Sequence, residues 1–471
     1  MIMPISTNTT IAVCIQIHTG DTIAYSTTIR RTALTLMLGV AIALVASLSW
    51  AGLAAGRPRA VASVRVSSTS LLGGVNITGL SGDPYLLGID QAVATASELH
   101  VKLLRTGVSW AMVEPVSGTQ VDTEALAGID RLLADAASHG MRVVLSVDTT
   151  PCWASSAPAP LLRQCVPGAS SSANAWPPLD PSAYAAFVAY LASRYGSSLA
   201  AIEIWNEPDQ SNELYFAGPE KAKRYAAIVR AAYPAIKQAN PDVLVLAGSL
   251  VGSNGAFLRA LYAAGMKGYY DALAVHFYTL TLAAVRSIHA VQMANGDKTP
   301  IWLDEFGWSS CYPRQKIEQE QACVTATVQA ANLANAIRAL ARAPYVAAAI
   351  VYKMQDSPEE RFGLLSASGA LKPAFAALSR ALASPLGKLS PVTLSLHRRG
   401  RHVVASGSAP VGDYLELEAF QGSFLRYTAS LVLNRFNRFS IALPSLLGTH
   451  GLRVRIYQLW SGVSKDAQKS I

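Results

Sequence analysis

The stretch Ala201-Ile202-Glu203-Ile204-Trp205-Asn206-Glu207-Pro208 begins as an apolar, β-branched run and ends in polar residues ahead of a proline. Proline lacks the N–H that a strand ladder needs and pushes its predecessor towards extended backbone, so a short strand over Ala201 to Asn206 stops there. The flanking segments, Pro181 to Tyr195 and Pro219 to Ala239, carry apolar residues at helical spacing. A buried strand between two amphipathic helices is the repeating unit of a parallel sheet.

Moving outward, the same unit recurs in both directions. Strands are predicted over Leu71 to Asn76, Val101 to Thr106, Arg142 to Val147, Ala201 to Asn206, Val243 to Gly248, Ala272 to Phe277, Pro300 to Glu305 and Ala347 to Tyr352. Helices are predicted over Gly88 to Leu99, Thr123 to His139, Pro181 to Tyr195, Pro219 to Ala239, Ala256 to Ala264, Leu282 to Ala294, Ile317 to Ala343 and Pro373 to Ala383. His139-Gly140 and Asn240-Pro241 halt helices before the third and fifth strands. Eight units without a glycine-rich phosphate loop after the first strand predict closure into an α/β (β/α)8 barrel of the TIM type over residues 60–384, rather than a doubly wound open sheet.

After Ala383 the period changes. Six short alternating strands, Val392 to Leu396, His402 to Gly407, Tyr414 to Phe420, Leu425 to Leu433, Phe439 to Leu443 and Leu452 to Tyr457, predict a small all-β sandwich over residues 392–460. The net charge of +9 sits mainly there: residues 60–384 hold 24 basic and 25 acidic side chains, residues 385–471 hold 11 and 4. A near-neutral barrel argues against a nucleic-acid partner for the catalytic part, and the basic sandwich is either a solvated surface or a contact for acidic polymers such as those of the cell envelope, for lipid headgroups or for nucleic acid.

Residues 1–58 read as a polar tail followed by an export signal or membrane anchor: Arg30 and Arg31 precede an apolar run over residues 33–55 that ends in small residues. The run exceeds the usual signal-peptide core of roughly 7 to 15 residues and is long enough to span a bilayer uncleaved. Cys14 lies before it, while Cys152, Cys165, Cys311 and Cys323 follow as two close pairs. The pairs suggest two loop disulfides in an exported protein, with four reduced, buried cysteines as the alternative. The expected location is therefore secreted or membrane-anchored, with the barrel outside the cytoplasm.

In such a barrel, functional residues sit at the C-terminal ends of strands. The fourth strand ends in Asn206-Glu207-Pro208 and the seventh in Asp304-Glu305-Phe306-Gly307-Trp308, which puts one Glu at each tip. These motifs resemble the hallmarks of glycoside hydrolase clan A, and the resemblance spans the barrel. Arg105 in Leu104-Arg105-Thr106, with Trp110 and Glu114-Pro115 after it, and His276-Phe277-Tyr278 on the sixth strand match further strand ends of the clan in order. The look, with a long eighth loop and a trailing β module, is nearer to family 39 and family-5-like bacterial enzymes than to classical cellulases.

The resemblance implies a retaining glycoside hydrolase with Glu207 as acid/base and Glu305 as nucleophile, acting on an extracellular or cell-envelope polysaccharide or oligosaccharide. Arg105 and the Tyr278 hydroxyl are expected to keep Glu305 ionised, since a cation and a hydrogen bond both favour the charged form. Glu207, expected to lack such partners, would stay protonated near neutral pH beside that charge. Asn206 would donate to the sugar 2-hydroxyl, and His276 takes a supporting role. Trp153, Trp205, Trp308 and Tyr352 are candidate sugar platforms, although Trp205 or Trp302 is as readily core. The clan often ends its eighth strand in Trp, whereas this chain reads Tyr352-Lys353-Met354-Gln355-Asp356, so Tyr352 would replace that floor and Lys353, Gln355 or Asp356 would reshape it. No phosphate loop or ligand cluster points to a cofactor or metal. A silent carbohydrate-binding protein and a transglycosylase share these residues and are the competing readings.

Overall fold

The computed structural model describes residues 71–78, 87–278, 281–312, 323–388, 390–400, 402–409, 414–445, 447, 451–457 and 464–468. The expected N-terminal tail and apolar run, and residues 317–322 of the seventh predicted helix, lie outside them. In the barrel the strands are β1 (Leu72–Asn76), β2 (Leu103–Ser109), β3 (Arg142–Asp148), β4 (Leu199–Ile204), β5 (Leu244–Leu250), β6 (Ala272–His276), β7 (Ile301–Phe306) and β8 (Val346–Val351). The helices are α1 (Ile89–Ser97), α2 (Trp110–Val113), α3 (Thr123–Ser138), α4 (Ala159–Leu162), α5 (Pro181–Tyr195), α6 (Lys221–Ala239), α7 (Ala256–Ala263), α8 (Thr281–Ala294), α9 (Ala326–Leu340) and α10 (Pro373–Ala383).

The eight strands pair in sequence order, all parallel, and β1 closes on β8 with Gly74 opposite Ile350. The expected closed barrel is therefore the fold. Local chemistry sets the helix ends. Asp122 accepts from the backbone N–H groups of Glu124 and Ala125 at the start of α3, and Asp180 caps α5 ahead of Pro181. Gly140, at φ 68°, takes the left-handed turn after α3 that a side chain would resist. The seventh predicted helix needs correction: α9 begins only at Ala326, where Thr325 accepts from the N–H of Val328, and Cys323–Thr325 are not helical. Its apolar pattern continues upstream, but the cap decides the start.

Side chains in a strand alternate between two faces, so every second residue enters the barrel. Leu103, Val144, Ala201, Leu246, Ala274, Trp302 and Ile350 form one buried cluster with a member from each of seven strands and none from a helix, which places it inside. The alanines make room for Trp302, which is 1% exposed. Two residues further along the same faces stand Asn76, Arg105, Ser146, Glu203, His276 and Asp304, all buried. An apolar layer thus supports a polar, charged layer directly beneath the barrel mouth.

Among the described residues the C-terminal region has seven strands: β9 (Thr393–Arg399), β10 (His402–Ser408), β11 (Tyr414–Gln421), β12 (Phe424–Val432), β13 (Arg438–Ala442), β14 (Leu452–Tyr457) and β15 (Ser464–Gln468). They form one sheet in the order β13-β10-β9 and another in the order β12-β11-β14-β15, all antiparallel. Leu396, Val403, Ala405 and Phe439 of the first share a core with Leu415, Leu417, Val454 and Ile456 of the second. β15, in which Ala467 is the one apolar residue, is the strand that hydrophobic alternation did not reveal. Among the described residues no helix is long and apolar enough to cross a membrane.

Candidate active site

Glu207 and Glu305 meet at the mouth. Single carboxylate oxygens of the two and a ring nitrogen of His276 all lie within 4.8 Å of one another. Both carboxyl groups line a cavity of about 750 Å³ together with Asn206, His276, Tyr278 and Tyr352.

The backbone that presents Glu207 is unusual. Trp205 and Glu207 take left-handed conformations, at φ 68° and 44°, in a region that costs non-glycine residues energy and persists only where packing enforces it. Trp205 supplies that packing. It is fully buried, its ring meets Tyr184 and Phe216, and its Nε1 donates to the Tyr215 carbonyl at 2.8 Å. This corrects its reading as a sugar platform: it is the peg that fixes the turn after β4.

Glu305 is gripped from two sides. Arg105 Nη1 donates to its Oε1 at 2.6 Å and the Tyr278 hydroxyl to its Oε2 at 2.6 Å. Burial and the Glu305 charge hold the Tyr278 phenol well above its ordinary range, so it remains a donor. Behind Glu305, Gly307 is required: a Cβ there would lie 2.5 Å from the Tyr352 carbonyl oxygen.

The arrangement around Glu207 corrects the expectation that it has no partners. His276 Nδ1 stands 2.8 Å from its Oε1, and Gln210 Nε2 donates to its Oε2. Burial opposes charge on His276, but Glu305, Asp304 and Glu207 outweigh it and raise the imidazole to about 9. At neutral pH His276 is therefore a cation that donates to Glu207.

Beneath these groups lies the charged layer. Arg105 forks onto Glu203, Nε to Oε2 at 2.7 Å and Nη2 to Oε1 at 2.8 Å, while Nη1 also reaches Asn76 Oδ1 at 2.9 Å. Ser249, at φ 47° in a β5 bulge, and Ser146 also donate to Glu203. Burial would raise the Glu203 carboxyl, yet the Arg105 guanidinium reverses this and holds it at about 2. Asp304 goes the other way, because burial and the Glu203 charge push it well up. Burial also pushes Asp148, at the tip of β3, up to about 7. The motifs did not reveal Glu203, Asp304 or Asp148. Stepping by two along β4 and β7 from Ala201 and Trp302 would have exposed the first two as charges inside an apolar barrel.

Two clusters, Glu203 with His276 and Asp304, and Glu207 with His276 and Glu305, have metal-ligand spacing. Arg105 and cationic His276 already supply positive charge there, so the donor set fits an ion-pair network better than a metal.

Asn206 Oδ1 accepts from Arg105 Nη2 at 3.2 Å, with its amide on the cavity wall. Tyr352 lines the cavity and donates to Glu360 Oε2 at 2.9 Å. Lys353 is buried and pairs with the same oxygen at 2.6 Å, whereas Asp356 pairs with Lys372 at 2.9 Å and Gln355 Oε1 accepts from the Leu87 N–H. Trp308 is 2% exposed against Phe306 and offers no open face, which corrects its reading as a platform. Trp153 is 39% exposed but lies outside the cavity wall, with its Nε1 tied to the Glu114 carbonyl and its ring edge-on to Trp110. Cys152 pairs with Cys165 and Cys311 with Cys323, both as disulfides.

The family described as Cellulase (glycosyl hydrolase family 5) matches residues 65–340. The chain belongs to glycosyl hydrolase family 5. It is thus an O-glycosyl hydrolase of clan A, and its fold implies a carbohydrate substrate. Among solved structures, the family 5 chain is similar to a family 39 glycoside hydrolase from the gut symbiont Bacteroides cellulosilyticus WH2, at 18% identity and a TM-score of 0.51, over 80% of this chain and 81% of that one. It is also similar to the GH39 enzyme from Xanthomonas axonopodis pv. citri, at 14% identity and a TM-score of 0.50, over 80% of this chain and 92% of that one. These likenesses are of fold. No curated protein matches the chain.

Proposed function

We propose that this family 5 enzyme is a retaining glycosidase with Glu305 as nucleophile and Glu207 as acid/base, acting on a polysaccharide or oligosaccharide outside the cytoplasm. The observation that carries the reading is the approach of Glu207 and Glu305 oxygens to within 4.8 Å. Retaining enzymes hold their carboxyl groups about 5–5.5 Å apart, whereas inverting ones leave about 6.5–9.5 Å for a water.

In the first step a Glu305 oxygen bonds to the anomeric carbon as the glycosidic C–O bond breaks, and the Glu207 proton goes to the departing oxygen. His276 Nδ1–H and Gln210 then stabilise the carboxylate left on Glu207. In the second step Glu207 takes a proton from water, the water oxygen bonds to the anomeric carbon, and Glu305 departs as carboxylate. Arg105 and Tyr278 receive that returning charge. Asn206, held by Arg105, is the donor for the sugar 2-hydroxyl. The paired cysteines support an oxidising compartment, in keeping with the exported or membrane-anchored reading of residues 1–58.

Hydrolysis of a glycoside panel followed by proton NMR tests this: the first anomer released should match the substrate. A 2-deoxy-2-fluoro glycoside should label the peptide containing Glu305. Release of the opposite anomer, or a label on another residue, would overturn the assignment.

A further inference from the structure

Part of the cavity wall is built by a segment that the mechanism leaves unused. Glu360, in the loop between β8 and α10, lines the cavity with a side chain that is 37% exposed. Its Oε2 accepts from the Tyr352 hydroxyl at 2.9 Å and from Lys353 Nζ at 2.6 Å, and among the described residues Oε1 accepts nothing. Phe362, Tyr352 and Tyr278 pack edge to face on one another, with centroids 5.3 to 5.8 Å apart. Tyr278 in turn donates to Glu305, so Glu360 is joined through two rings to the group that attacks the sugar.

A carboxylate pinned by one oxygen and open at the other is an acceptor for sugar hydroxyls. Its pins matter. Lys353 is buried, fixes Glu360 from behind and contributes nothing to the cavity wall. Among the described residues the wall carries the carboxyl groups of Glu207, Asp209, Glu305 and Glu360, one imidazole, and no Lys or Arg. A sugar bearing its own carboxylate would meet the charges of Glu305 and Glu360, while the one cation on the described wall, His276, is buried and already donates to Glu207, and like charges placed against each other in a closed site are strongly disfavoured.

We infer that Glu360 is the specificity-determining residue of the subsite beside Glu305: it binds ring hydroxyls through Oε1 and excludes acidic sugars, so the sugar cleaved is neutral or amine-bearing. The inference rests on the assignment of Glu305 as nucleophile. Charge at position 360, and not only shape, then sets the preference. A Gln there keeps an oxygen for Lys353 and Tyr352 and removes the repulsion.

The test is a competition in one tube between cyclophellitol and its 6-carboxylate, in gluco, galacto and manno configurations, read by mass spectrometry of the labelled peptide. Attack by Glu305 forms a carbon–oxygen ester bond and opens the epoxide, whose oxygen takes the Glu207 proton. Because the two probes compete on the same molecules, their ratio does not depend on how much of a variant is folded. The neutral probe should label Glu305 about a hundredfold faster than the carboxylate, and Glu360→Gln should shrink that ratio about tenfold. Equal or faster labelling by the carboxylate, or a ratio unmoved in Glu360→Gln, would overturn the inference while leaving the nucleophile intact. Failure of every probe to label Glu305 would overturn the nucleophile assignment, and the inference with it.

Discussion

His276 holds its Nδ1 at 2.8 Å from Glu207 Oε1, so the proposed proton carrier sits against an imidazole that is itself charged at neutral pH. The imidazole is raised from an ordinary 6.5 to about 9 by the acids around it. A base whose proton is held more tightly in the folded chain stabilises the fold fully below its unfolded value and loses that contribution as pH rises through its folded value. The window is therefore about 6.5 to 9, and a shift of that size corresponds to about 3 kcal/mol. Urea unfolding midpoints should fall across this window in the wild type and fall less steeply in His276→Gln. Parallel curves for the two proteins would show that His276 is not the titrating group.

Glu207→Ala should lower kcat by about 10² to 10⁴ on glycosides with poor leaving groups, the usual contribution of a positioned general acid. On dinitrophenyl glycosides, which depart without protonation, the first step should be spared and the glycosyl-enzyme should accumulate. Stopped-flow measurement of a dinitrophenol burst checks this. Equal losses on both substrate types would argue that Glu207 acts otherwise.

Arg105→Lys should destabilise the fold by about 3 to 5 kcal/mol, because an ammonium cannot reproduce the two-pronged grip on Glu203 and leaves buried carboxylate unpaired. Chemical denaturation gives the magnitude. A variant as stable as wild type would mean that the polar layer relaxes around a single point charge.

Replacing Cys152 and Cys165 together by Ser should cost about 3 kcal/mol, the loop-closure value for a span of this length. The loss should appear in the melting temperature of the oxidised protein and vanish when both proteins are compared under reducing conditions. A loss that persisted in reductant would point to packing of the cysteine side chains instead.

The barrel could be read from sequence because apolar strand runs alternate with helical spacing, and because some boundaries are marked by their own residues, as by Pro208 after β4 and the cap Asp180 before α5. The start of α9 was hidden because the apolar pattern continues upstream of Thr325, and β15 because it lacks apolar alternation. At the mouth, the motifs on β2 and at the ends of β4, β6 and β7 announced Arg105, Asn206, Glu207, His276, Tyr278 and Glu305, which the structure brings together. Glu203 and Asp304 were masked by their neighbours, since each stands one residue or a few from a more conspicuous motif. The aromatic residues misled for a physical reason: Trp is as useful for filling space as for stacking, and only depth separates the two uses. Trp205 and Trp308 are buried, whereas Tyr352 is on the wall.

The layer formed by Arg105, Glu203, His276 and Asp304 also bears on how this sequence can change. The protonation of Glu203 and that of Asp304 each depend on the other three members, so a substitution at one position redefines which residues are acceptable at the rest. Mutational tolerance there should be strongly epistatic. Libraries that vary the four codons jointly should recover folded combinations that no path of single changes would reach.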